Sequence, residues 1–87
     1  MDSKESALTF SELARALKIG GEYEHYKGPH YKVHALVRHS ETLEELVIYQ
    51  SMYGDWEMWA RPLKMFLEEI SIEGKTRPRF QLVGDCC

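Results

Sequence analysis

The stretch ETLEELVIYQSMYG, residues 41–54, admits two readings, and the fold follows from the choice between them. Thr42 with Glu45 fits a capping box, and Leu43, Leu46 and Val47 would then line one side of a helix. Against this, LVIY is a compact β-branched and aromatic run of strand length, set between a polar loop and a Gly54-Asp55 turn. A strand from about Leu46 to Tyr53 is therefore expected. It pairs as a hairpin with HYKVHALVRH, residues 30–39, where Tyr31, Val33, Ala35 and Val37 alternate onto a core face. Lys32, His34 and Arg38 take the other face, with Leu36 as an apolar exception.

Downstream, WEMWA (56–60) reads as the returning strand and Arg61-Pro62 ends it. Pro62 suits the first position of a short helix reaching about Leu67. Ile70 and Ile72 alternate like a strand, Gly74-Lys75 turns the chain, and RFQLV closes with Phe80 and Leu82 on one face. Upstream, EYEHYK is a strand that Gly28-Pro29 turns. Thr9 and Glu12 fit a capping box and Leu8 with Leu13 a hydrophobic staple, so a helix is expected from Phe10 to about Lys18. SELARALKIG also resembles the first half of a helix-turn-helix, but GGEYEHYKG supplies no recognition helix. The sum is a mainly β chain with short helices, expected to curl into a small, partly closed β-barrel preceded by an N-terminal helix.

With 87 residues the chain is expected to be one domain: residues 1–20 the helical segment, 21–83 the barrel and 84–87 a flexible tail. A domain this small needs most of its large apolar residues in the core. The net charge of −3 argues against a duplex-DNA binder without excluding a local basic patch. Cys86 and Cys87 are adjacent, so they cannot staple distant segments, and free thiols fit a reducing compartment. No apolar run has the length of a signal peptide or membrane span, and a cytoplasmic location is expected.

The residues HYKG (25–28), YKV (31–33), RHSETLEELVIYQSMYG (38–54), WARPLKMF (59–66) and PRF (78–80) resemble the bacterial domain-of-unknown-function family numbered 1653. The resemblance runs from Gly21 to Phe80, with its motifs in order. It implies a small SH3-like barrel, and it implies no activity, since none is established for the family.

Alternation places Trp56 inward with Met58 and Ala60, and Trp59 outward between Glu57 and Arg61. An outward set of Tyr49, Tyr53 and Trp59, bordered by Lys27, Arg38 and Arg61, suits a peptide groove or stacked bases. His39 and Glu41 belong to a polar loop, HSET, that would either bond its own backbone or rim a ligand. His25, His30, His34 and His39 are spaced too widely along strands to share one ion, so no metal and no cofactor is expected. Nothing resembles a nucleophile elbow, a phosphate loop or a carboxylate pair. The reading is a non-catalytic module for a peptide or protein partner. Single-stranded RNA or DNA binding, an enzyme using His39 and Glu41, and a homo-oligomeric domain whose aromatic patch is its interface are the alternatives.

Overall fold

A five-stranded antiparallel sheet forms the body of the fold, and a separate two-stranded hairpin stands beside it. The computed structural model describes residues 10–85. In chain order, a 3-10 turn at Glu12–Ala16 is followed by β1 Gly21–His25, β2 His30–Arg38, β3 Glu45–Ser51 and β4 Met58–Pro62. Then come a one-turn helix α1 Leu63–Phe66, β5 Glu69–Ile72, β6 Lys75–Pro78 and β7 Phe80–Asp85. The sheet is ordered β4-β3-β2-β1-β7, and the hairpin is β5-β6. The hairpin reading of residues 30–54 therefore holds, and so does a short helix opening after Pro62.

The chain does not close into a barrel. β4 and β7 are opposite edges of one sheet, and the residues that would have to join them, β5 and β6, pair with each other instead. β6 is a strand that the sequence reading passed over, because KTRP has no apolar alternation to mark it. Its hairpin is made by local turn chemistry: Glu73 and Gly74 both adopt positive φ, as a tight hairpin turn requires.

The expected N-terminal helix is also corrected. Leu8 and Thr9, half of its staple and of its cap, lie outside the described residues. Ser11 takes the N-cap place without capping, because its amide and hydroxyl bond the Glu45 carboxylate at 2.6 and 2.7 Å. Leu17 then turns extended, at φ −95° and ψ 128°, and drops into the core. What remains is a 3-10 turn tied to β3.

Leu36 is explained by a bulge. Val33 pairs with Tyr49 but Ala35 pairs with Ile48, so His34 is an extra residue on β2. The alternation slips by one, and Leu36 comes round beside Val47 to pack on the core, in the place that Ala35 and Val37 were expected to hold.

The core is Leu17, Tyr23, Val33, Val47, Tyr49, Leu63, Phe66 and Phe80. α1 lays Leu63 and Phe66 onto the sheet. The Phe66 ring stacks on Phe80 with centroids 4.2 Å apart and planes 7° apart. Tyr23 and Tyr49 meet Phe66 edge-on at 5.2 and 5.3 Å, an arrangement the ring quadrupoles favour.

Trp56 is not core. It is 51% exposed and sits at φ +54° in the turn before β4, where its amide bonds the Tyr53 carbonyl at 3.1 Å. A positive φ is costly for a bulky residue, by roughly 1–2 kcal/mol. Trp56→Gly should therefore leave the melting temperature within a few degrees of the parent, whereas Phe66→Ala should lose about 3–5 kcal/mol by urea denaturation.

Candidate functional site

β3 presents Val47, Tyr49 and Ser51 on one buried face. On β4, Trp59 stands opposite Tyr49 and Arg61 opposite Val47. Residues directly opposite in an antiparallel pair share a face, so Trp59 and Arg61 rise on the core side of the sheet. Alternation counted from Trp56 had placed them on the outer side. That count fails because Trp56 lies in a turn, outside the strand. β4 is an edge strand, and Trp59 stays 46% exposed although it lies on the core side.

Tyr31, Tyr49, Trp59 and Arg61 line a cleft of about 170 Å³ at this edge. The Tyr49 ring is 5% exposed and packs edge-on against Tyr31, Phe66 and Phe80, so a ligand meets its hydroxyl and not its flat side. Arg61 Nε donates to that hydroxyl at 3.2 Å, and the guanidinium lies 5.6 Å from the Phe80 ring centroid. Trp59 Nε1 donates to the buried Ser51 hydroxyl at 2.9 Å, which anchors the indole at the cleft. The Tyr31 and Tyr53 hydroxyls are 3.1 Å apart. Burial first, and then the Tyr53 hydrogen bond, push the Tyr31 pKa up to about 12.

His25 extends the cleft. Its ring lies edge-on to Phe80 at 4.8 Å and tilted over Tyr26 at 4.5 Å, and its Nδ1 accepts the Lys27 amide at 3.2 Å. Burial, and then the charges of Arg61, Arg79 and Lys27, hold its pKa below the ordinary histidine value. Arg79 is partly neutralised by Glu68 at 3.2 Å, and its Nε is buried without an acceptor. Arg61 forms no ion pair with any described residue. The cleft is therefore a locally positive place on an acidic protein, walled by aromatic rings.

The model of a protein family of unknown function, DUF1653, matches residues 21–82. The chain belongs to the DUF1653 family. A crystal structure of a DUF1653 protein from Bordetella bronchiseptica is 33% identical, with a TM-score of 0.74 over 84% of this chain and 95% of that one. No curated protein matches the chain.

In this DUF1653 domain, Tyr49, Tyr53, Trp59 and Arg61 gather at one place, with Lys27 near His25. Arg38 does not join them. It ends β2 seven residues beyond Tyr31, roughly 23 Å along the strand, where it bonds the Leu43 carbonyl and covers Phe10. His39 and Glu41 are at that far end too. His39 Nδ1 accepts the amides of Glu41 and Thr42 at 3.1 and 3.2 Å, so the ring organises its own loop. Thr42 Oγ1 accepts the Glu44 amide, the self-bonding expected of this loop.

The sequence reading missed His25, Phe80 and Arg79 as site residues, and took Tyr31 for core alone. Tyr31 carried a signal: it shares the Val33 face yet sits at the strand's start, where a core thins. The hollow of about 320 Å³ between Arg38, Glu45 and Lys64 is larger, but Glu45 there is already bonded to Ser11. Among the described residues no cluster of three metal-binding side chains occurs, and no helix is long and apolar enough to cross a membrane.

The electrostatics of the cleft are testable through His25. A histidine whose pKa is lowered by folding contributes full stability above pH 6.5, and that contribution is lost as pH falls through the folded-state value. Arg61→Gln removes one of the repelling charges. The His25 ring resonance should then titrate at higher pH by NMR, moving back toward the ordinary value.

Proposed function

We propose that this DUF1653 domain is a non-catalytic binding module that takes an extended segment of a protein or peptide partner along β4, with an acidic side chain set against Arg61. One observation carries the reading: among the described residues, the Arg61 guanidinium, fixed by Tyr49 and Phe80, faces a cleft with no carboxylate partner, beside a sheet edge whose outer backbone is unpaired. An arginine held this rigidly loses little entropy on binding a carboxylate, and its planar fork suits one. An open edge strand supplies main-chain hydrogen bonds, and the cleft supplies side-chain selection. Tyr53, Trp56, Met58 and Trp59 leave apolar surface exposed around the same edge.

Single-stranded nucleic acid is the second reading, favoured by the exposed rings of Tyr53, Trp56 and Trp59 beside Lys27 and Arg61. The two readings separate in an NMR titration. An acidic extended peptide should shift the Trp59 indole and the Met58 and Ala60 amides while the Trp56 indole stays fixed, with Arg61→Gln weakening the effect. A thymidine oligonucleotide that shifts Trp59 instead, with affinity falling about 0.7 log units per phosphate contact for each tenfold rise in salt, would favour the second reading.

A further inference from the structure

The partner strand that complements the β4 edge best is β4 itself. Ser51 donates its amide to the Glu57 carbonyl at 2.9 Å, so that pair is of the hydrogen-bonded kind. Stepping by two along the same register, Tyr49–Trp59 and Val47–Arg61 are also hydrogen-bonded pairs. The amides and carbonyls of Met58 and Ala60 therefore point the other way, out of the sheet and into solvent. Glu57 and Arg61 flank them, two residues either side of Trp59, and continuing the register from the Ser51–Glu57 bond puts all three on one face. Glu57-Met58-Trp59-Ala60-Arg61 thus complements itself when turned antiparallel about Trp59.

We propose that β4 pairs antiparallel with β4 of a second copy of this chain, about a two-fold axis at Trp59, joining two five-stranded sheets into one. Met58 and Ala60 then exchange main-chain hydrogen bonds with Ala60 and Met58 of the partner subunit. Arg61 meets the partner's Glu57, a carboxylate of the kind it lacks among the described residues of its own chain. Trp59 meets the partner's Trp59 as a close, non-hydrogen-bonded pair, the arrangement in which cross-strand aromatics interact most. The opposite edge does not offer this. β7, Phe80–Asp85, has no basic residue in its sequence to set against an acid of its own copy. The contact is symmetric and closes on itself, so it makes a dimer and no fibre. Five-residue pairing is a small interface, so association is weak and concentration-dependent.

This inference rests on the reading of β4 as the recognition edge, and the experiment separates the two. Sedimentation equilibrium up to about 1 mM, a range set by the small interface, should show the parent chain in monomer–dimer exchange. Arg61→Glu and Glu57→Arg should each weaken self-association about tenfold or more, because both put like charges opposite each other twice. Mixing those two variants should restore a dimer, now mixed, and the double variant Glu57→Arg/Arg61→Glu should restore the homodimer. Ala60→Pro removes an outward amide at an edge position that tolerates proline, and should yield a monomer with an unchanged melt. A parent chain that stays monomeric at about 1 mM, or charge variants that do not complement, overturns the self-pairing. If the acidic peptide still shifts the Trp59 indole in that case, the edge-binding reading stands without it. If it does not, both fall.

Discussion

The stack of Phe66 on Phe80 is the contact on which the remaining structure depends. Phe66 arrives from the β4 side of the sheet through α1, and Phe80 opens β7 at the opposite edge. Their meeting draws the two edges of an open sheet over a common centre, with Tyr23 and Tyr49 set edge-on around it. A chain this short has few large apolar side chains to spend on a second layer. One turn of helix carrying Leu63 and Phe66 serves as that layer, and both residues are almost wholly buried.

The same economy explains the site. Aromatic residues that close the core also wall the cleft: Tyr49 buries its ring against Phe66 and turns its hydroxyl to Arg61, while Phe80 stacks in the core and lies under the Arg61 guanidinium. The cation is thus positioned by core packing and not by a partner charge. Its neighbours Lys27 and the partly neutralised Arg79 add to a local positive field that helps hold the His25 pKa down, although the protein as a whole is acidic. Net charge describes the surface average, whereas a ligand meets the few charges within a Debye length.

Leaving the sheet open has a cost that the fold does not hide. β4 ends in a proline and is short, two of the ways in which natural edges limit unwanted pairing. It nevertheless keeps the outward amides of Met58 and Ala60, with Glu57 before them and Arg61 after.

Much of the local structure was legible in the residues: the hairpin of β2 and β3, the turns at Gly28, Gly54 and Gly74, the helix opening after Pro62, and the family motifs. Each rests on backbone preference or on alternation within a single strand, which a sequence carries in full. The aromatic and basic residues of the cleft were mostly named, but for a surface that faced the wrong way. The inversion came from one residue. Trp56 takes a positive φ in a turn, so counting from it put Trp59 and Arg61 on the outside, and the extra residue at His34 hid Leu36 in the same manner. Strand side chains repeat every two residues, so a slip of one reverses every face, and nothing local records whether it has occurred. Whether the sheet closes, which side its edge residues take, and that His25, Tyr31, Phe80 and Arg79 meet them there are set by pairing between distant strands. Those were decisions of the tertiary structure alone.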